Sequence, residues 1–469
     1  MQGKRPSCIP NETCYTETHV LWITKKNKKH SNETRCRTCK NQISFFFCHY
    51  HLLHLPKKRN ILQQFNHYFF INAMDFFNFS CYSPPMQGIY LDNASTSWPK
   101  APLVAQEVSS FINECGCNIA RGGYERAYEA AAKVEVCRAQ LAELFTCSKP
   151  RNVAFTMNVT QALNTLIVGL FTKDDHILVS GMEHNAVMRP LFQHHIPYSV
   201  IPCDIQGRLQ LSAIESLIQH NTKAILLTQA SNVCGTILPI AEVAQICKSK
   251  GLLCLVDSAQ GSPYESLSMD TMGLDAIAFT GHKGLLGPQG IGGLILNDAL
   301  SHTIRPLVAG GTGSISHEFA MPSFMPDHLE AGTQNLPGII GLSSGLQYHL
   351  AHADEIQAHE KRLTEHLLEY FLSDNRIKVI GLASAEGRTP VISVDFTSYD
   401  NAQVAFQLQT LAGIETRVGL HCAPLAHKTL QTFPRGTVRF SMGYANTNDE
   451  IDTTIDACKE ALHQLGELS

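Results

Sequence analysis

From about residue 150 this chain alternates short, wholly apolar runs with helix-like stretches, and few folds accommodate that alternation. Runs rich in Val, Ile and Leu occupy 176–180, 198–202, 224–228, 252–257, 276–280 and 293–296. Helix-like stretches at 211–220 and 240–250 lie among them. A strand with one wet face alternates apolar and polar residues, whereas a run that is apolar throughout is buried on both faces. The expectation is therefore an α/β fold, with a largely parallel sheet wrapped by helices. Ligands of such sheets sit beyond the carboxyl ends of the strands.

The texture changes after Pro337. A long helical stretch at 339–372 leads to a strand at 391–396, a helix at 402–411, a strand at 437–442 and a last helix near 450–465. This predicts a smaller α+β domain over 337–469, following a large domain over 86–336. The 469 residues suffice for both.

Residues 1–85 differ in kind. Twelve Lys/Arg stand against four Asp/Glu there, while the whole chain carries a net charge of only -4. Basic clusters such as Lys25, Lys26, Lys28 and Lys29 mix with aromatic bunches such as Phe45 to Phe47, without a period of 2 or 3.6. Organised patterning starts at Met86, so the expectation is a disordered segment or one upstream of the natural start. Other readings are a transit peptide, favoured by the scarcity of acids, or a small zinc site from Cys36, Cys39, Cys48, His49 and His51. A second well-spaced CxxC is missing, so no metal is expected.

The near-neutral charge gives no field for nucleic acid or membrane. No apolar run reaches the roughly 18 residues of a membrane helix. Of sixteen cysteines, ten are scattered through 86–469 without regular spacing, which reads as free thiols in a reducing cytoplasm rather than a disulfide framework.

The chemistry gathers at strand ends. Thr280-Gly281-His282-Lys283-Gly284 follows the run 276–280, and Gly287-Pro288-Gln289-Gly290-Ile291-Gly292-Gly293 comes shortly after. Asp257 closes the run 252–257, 26 residues before Lys283. A lysine and a carboxylate so placed meet the needs of pyridoxal phosphate: the amine forms a Schiff base, and the acid pairs with the pyridinium nitrogen. Thr280 and His282 are candidates to hold the phosphate, and the glycines permit close backbone approach. Gln260 is within reach of the ring hydroxyl.

Other candidates follow other strands. His184, in Glu183-His184-Asn185, is suited to stacking on a planar ring. Thr160 and Gln161 open the helix-like 162–170, a potential anion site at a helix N-terminus. Asn232 follows the run 224–228. Cys422 sits near Arg417, His421 and His427, and positive neighbours make a better thiol nucleophile. Arg439 interrupts a strand-like run; facing inward, it clamps a carboxylate. Each also has a plainer reading: Asp257 as a cap, His184 as a loop residue, Cys422 as an inert thiol and Arg439 as an edge-strand residue.

Together these residues resemble the class V aminotransferase-fold enzymes, most closely the cysteine desulfurase family. The resemblance covers 86–469. It runs in order through Tyr90-Leu91-Asp92-Asn93-Ala94-Ser95-Thr96, Arg121-Gly122, Met182-Glu183-His184, Ser231-Asn232-Val233-Cys234-Gly235-Thr236, Val256-Asp257-Ser258-Ala259-Gln260 and Gly281-His282-Lys283. It implies the fold type I of pyridoxal-phosphate transferases, with a sheet of the seven-stranded type. It implies conversion of L-cysteine to L-alanine with a persulfide left on Cys422.

By the same resemblance, Lys283 carries the cofactor, Asp257 and Gln260 contact its ring, His184 stacks on it, and Thr160, Thr280 and His282 hold its phosphate. Gln161 and Asn232 join the cofactor contacts. Arg439, with Asn232, binds the substrate carboxylate. A homodimer is implied, with Thr312 in Gly311-Thr312-Gly313 reaching the partner's cofactor, and a sulfur-acceptor protein is a possible partner. Asn158-Val159-Thr160-Gln161 replaces a commoner Gly-Thr-Thr-Glu-like turn, Asn185 a frequent second histidine, and Leu420 a frequent histidine before His421-Cys422. The compact cysteine segment points to the short-loop group. Selenocysteine lyases, other lyases and class V aminotransferases share the scaffold and remain alternatives. A non-enzymatic sulfur carrier or zinc scaffold leaves the Asp257–Lys283 pair without a purpose.

Overall fold

The structure is a computed structural model and describes residues 88–119, 122–262 and 264–466. The expectations for residues 1–85, for Met86 as the start and for Arg121 fall outside the described residues.

The apolar runs assemble into one seven-stranded sheet. Its members in chain order are β2 (Val153–Thr156), β3 (His176–Ser180), β4 (Tyr198–Ile201), β5 (Thr222–Thr228), β6 (Leu253–Asp257), β7 (Ala276–Thr280) and β8 (Gly292–Leu296), after a short β1 (Ile89–Tyr90) that lies elsewhere. The spatial order is β2-β8-β7-β6-β5-β3-β4. Pairs from β7 through β4 are parallel, and β8 alone runs against both its neighbours. Thus β2 and β5 to β7 end on the same edge, together with β3.

Successive residues of these strands feed two different cores. Leu178, Ile225, Leu227, Val256, Ile277 and Phe279 join one cluster of buried side chains. Ile177, Val179, Leu226, Leu255, Ala276 and Ala278 join another. Side chains on a strand point alternately to the two faces, so a sheet covered on both sides needs an unbroken apolar run. The stretch 211–220 does not form the expected helix. It holds a 3-10 turn at Leu211–Ala213 and a single turn at Ile214–Leu217, and the backbone is extended at Ile218.

The helix Leu336–Ser373 breaks its φ/ψ at His352. Its second half packs with the helices Asn401–Ala412 and Asn448–Gly466 on a four-stranded antiparallel sheet. That sheet has the order β12-β13-β10-β9, from β9 (Ile377–Ile380), β10 (Val391–Phe396), β12 (Arg417–Gly419) and β13 (Thr437–Ser441). The N-terminal arm runs back to it: β1 pairs in parallel with β11 (Ile414–Glu415), and Asp92 bridges to Ser441. Residues 92–100 thereby link the C-terminal sheet to the His282–Lys283 turn. Among the described residues, no helix is long and apolar enough to cross a membrane.

Candidate active site

The carboxyl edge of the large sheet gathers the polar residues. Asp257 ends β6 and is 2% exposed. One of its oxygens accepts from the Ala259 N–H at 3.0 Å. Burial raises its pKa, and Ala259 N–H and the Lys283 charge pull it back down. Lys283 lies three residues beyond β7. Burial and the Arg439 charge lower its amine to about 8, while Asp257 opposes the fall. An amine so depressed is unprotonated in a substantial minority of molecules near neutrality, which a nucleophile requires.

The backbone of Lys283 is held by the N-terminal arm. The carbonyl oxygen of His282 accepts from Ser97 N at 2.9 Å, Thr96 Oγ1 at 3.1 Å, Ser97 Oγ at 3.2 Å and Lys100 Nζ at 2.9 Å. Gln260 fastens the same arm, donating from Nε2 to Ala94 O at 2.9 Å.

A second group surrounds the start of the helix Val159–Leu170. Asn158 caps it by accepting from Gln161 N at 3.0 Å, and Gln161 Oε1 accepts from Met157 N at 2.9 Å. This pair is a variant of the capping box, with Asn and Gln in place of the usual Ser and Glu and the return bond made to the residue before the cap. It commits the Gln161 carbonyl to the helix end and leaves Thr160 exposed in the first turn. Thr156, Gly292 and Thr280 lie in one register across β2, β8 and β7. A Cβ on Gly292 would stand 2.8 Å from Phe279 O and 2.9 Å from Asn158 C, so only glycine lets the helix start close over this edge.

His184 caps the helix Asn185–Gln193, its Nδ1 accepting from Ala186 N at 3.0 Å. That bond places the proton of the neutral ring on Nε2. Burial, with the Lys283 charge next, lowers its pKa to about 4. Glu183 beside it is wholly buried, and its Oε1 accepts from Ser180 Oγ at 2.5 Å and Thr228 N at 2.9 Å. Burial lifts this carboxyl to about 8.

The Cys422 turn faces these strands from the C-terminal region. His421 and Cys422 have φ of 47° and 56°, and Ala423 N donates to Leu420 O at 2.8 Å. Two consecutive left-handed residues usually demand Asn-Gly; here each costs about 1–2 kcal/mol. Three bonds hold the turn: Asn232 Nδ2 to His421 O at 2.7 Å, Asn185 N to Cys422 O at 2.8 Å, and His421 Nε2 with Thr437 Oγ1 at 3.0 Å. Cys422 itself is exposed and free.

One expectation needs correction. His421 and His427 do not supply positive charge to this thiol. Both are buried; burial drives His421 far below the usual imidazole range and His427 down to about 4. Arg417 is the cation left nearby in the chain. Arg439, by contrast, does face inward from β13 at 2% exposure. Its Nη2 donates to Asp92 Oδ1 and Ser95 Oγ, both at 2.8 Å, and its Nη1 to Asn232 O at 3.0 Å. Arg417 joins through Ser95 Oγ at 2.8 Å.

The roles of Asp92, Ser95 and Glu183 were not foreseen, although all three stand within the motifs quoted above. The signal available was a carboxylate closing a short apolar run. Thr312 is not drawn into this cluster by its hydrogen bonding. Its hydroxyl pairs with Ser314 Oγ at 2.9 Å, in a stretch between Thr303 and Leu336 that carries no helix or strand.

The buried polar atoms of the cluster fit pyridoxal phosphate. Thr280 Oγ1, His282 Nδ1 and Arg439 Nε are buried without a hydrogen-bond partner. Unpaired buried polar groups are costly, and these three have hydrogen-bonding capacity left for a ligand. Asp257, buried with one backbone donor, fits a cationic ring nitrogen. Thr280 and His282, beside the helix start at Val159, fit a phosphate.

The family model "Aminotransferase class-V" matches residues 89–454. A probable cysteine desulfurase of Methanothermobacter thermautotrophicus is 31% identical over 380 residues, covering 79% of this chain and 94% of the relative. One from Pseudomonas putida is 31% identical over 387 residues, covering 80% and 94%. Among solved structures, the apo cysteine desulfurase of Thermococcus onnurineus NA1 matches with a TM-score of 0.75 at 28% identity, over 80% of this chain and 95% of that one. The cysteine desulfurase CsdA (S-sulfonic acid) from Escherichia coli matches at 0.71 and 25%, with the same coverage.

Proposed function

The chain belongs to the class-V aminotransferase family, and we propose that it is a pyridoxal-phosphate-dependent cysteine desulfurase, converting L-cysteine to L-alanine and storing the sulfur on Cys422. The observation that carries this reading is the pinning of the Cys422 turn. Asn185 and Asn232, which follow β3 and β5, bind the two carbonyls of the turn. A strained thiol turn is thereby fastened to the strand edge that bears Asp257 and precedes Lys283.

Lys283 would hold the cofactor through its amine. Asp257 would pair with the ring nitrogen and favour its protonated form, Gln260 would contact the ring oxygen and neutral His184 would stack on the ring. Thr280, His282 and the helix start at Thr160 and Gln161 would hold the phosphate. Bound pyridoxal phosphate supplies an electron sink for negative charge developing on substrate carbon.

Everything else is done by the chain. Arg439, oriented by Asp92, Ser95 and the Asn232 carbonyl, takes the substrate carboxylate. Lys283, once its amine is free, moves the proton from the substrate α-carbon. The Cys422 thiolate attacks the substrate Sγ. An S–S bond forms, the substrate C–S bond breaks, and the carbon skeleton leaves as alanine after gaining a proton. One thiol and one cysteine thus become one persulfide and one alanine.

The family resemblance implies a homodimer, with Gly311-Thr312-Gly313 of one copy serving the partner's cofactor. A sulfur-acceptor protein, a cytoplasmic setting and a division into 86–336 and 337–469 complete the proposal.

The test is Cys422→Ala. The variant should keep the cofactor absorbance of the parent and lose both sulfide and alanine production from cysteine. Alanine and sulfide at the parent rate would overturn the assignment of the nucleophile. Pyruvate in place of alanine would point to a β-eliminating lyase instead.

A further inference from the structure

Away from this site, Cys115-Gly116-Cys117 sets two thiols against each other at the end of the one-turn π-helix Phe111–Cys115. The Sγ atoms are 3.4 Å apart. Both are partly exposed and both are free. Gly116 has φ of 52°, a left-handed bend that folds the chain back so the two side chains meet. Each thiol also points at one acceptor, the Arg126 carbonyl, at 3.7 Å from Cys115 and 3.4 Å from Cys117. Arg126 Nη1 in turn donates to Cys115 O at 3.3 Å. The pair is therefore held in register from the first turn of the helix Glu125–Leu144.

Two chemistries suit adjacent thiols: a shared soft metal or a disulfide. A structural zinc needs four N or S ligands, and among the described residues no three His, Cys, Asp or Glu side chains gather as a metal site. A disulfide needs only the two sulfurs, with the Cα atoms about 4.4–6.8 Å apart. Residues two apart fall in that range once the chain bends between them. We propose that Cys115 and Cys117 form a reversible intrachain disulfide, a modification site separate from the desulfurase centre.

With a small-molecule disulfide as oxidant, the step balances. One thiolate of the pair attacks it, forming a mixed disulfide and releasing one small thiolate. The second cysteine attacks the mixed disulfide at its protein sulfur and releases the other. The pair loses two electrons and two protons, and the oxidant becomes two thiols. The closed loop spans one intervening residue, so chain entropy contributes little to its stability, and a thiol reductant reopens it.

The experiment uses the full-length holoenzyme carrying Cys422→Ser, which removes the cysteine that is exposed among the described residues. Trypsin releases residues 101–121, a peptide whose only cysteines are Cys115 and Cys117. After treatment with glutathione disulfide, this peptide should lack two hydrogens, resist alkylation, and recover both thiols on reduction. Cys117→Ser in the same background should instead accumulate glutathione on Cys115. The proposal fails if the parent peptide keeps two alkylatable thiols, or carries glutathione to the same extent as the single variant.

Discussion

Asn232 donates its side-chain amide to the carbonyl oxygen of His421 at 2.7 Å, while its own carbonyl accepts from Arg439 Nη1 at 3.0 Å. A single residue, four positions beyond β5, thus ties the turn that carries Cys422 to the arginine assigned to the substrate carboxylate. In the proposed reaction, the attacking sulfur and the bound substrate share this anchor.

Replacing that anchor should therefore impair sulfur transfer more than cofactor binding. Loss of a buried hydrogen bond costs about 1–3 kcal/mol, which corresponds to roughly fivefold to a hundredfold in rate. Asn232→Leu, which is similar in size, uncharged and lacks the N–H donor, should slow single-turnover alanine formation by that factor and retain the cofactor band. A rate equal to the parent's would show that the turn holds itself.

The depressed amine of Lys283 sets a pH dependence. Its pKa of about 8 lies below the ordinary 10.5, and only the unprotonated amine condenses with an aldehyde. Uptake of pyridoxal phosphate by apoenzyme should rise with pH through about 8 and then level off. Absorbance in stopped flow measures this; a rate still climbing toward 10.5 would contradict the shift.

Thr280 Oγ1 is buried without a partner, so its value depends on the ligand. Thr280→Val should weaken cofactor affinity by about 1.5–3 kcal/mol, as for a hydrogen bond to a charged group, or roughly tenfold to a hundredfold. The apoenzyme should melt no lower than the parent, because no protein hydrogen bond is lost. A destabilised apoprotein with unchanged affinity would assign the hydroxyl to the fold instead.

Glu183 gives a stability signature. Its carboxyl titrates near 8 in the folded chain against 4.5 in its absence. Between these values the folded state binds more protons, so this group makes stability fall as pH rises from about 4.5 to 8. Glu183→Gln retains an acceptor for Thr228 N–H and removes the titration. The fall in apoenzyme denaturation midpoint across that window should become shallower, and an unchanged slope would show that Glu183 does not titrate there.

Much of the architecture was readable from local pattern. All six expected large-sheet runs coincide with their strands to within two residues at either end. Burial on both faces forces apolar side chains into every position of such strands. The failure at 211–220 has a matching cause. Short amphipathic turns satisfy the same pattern as a helix, and only packing decides whether the helix continues. β2 is not among the expected runs because Val153–Thr156 holds a single Val, Ile or Leu residue.

The sequence by itself determined the chemical inventory: a lysine after one strand, an acid at the end of another, and a cysteine in a compact C-terminal segment, in the order shared with cysteine desulfurases. Tertiary structure decided what those groups experience. It buried His421 and His427 until they are neutral, set Asp92 and Ser95 against Arg439 across 344 residues and more, and gathered four donors on the His282 carbonyl. Charge state depends on desolvation and on neighbours in space, and neither is a property of adjacent letters in a chain.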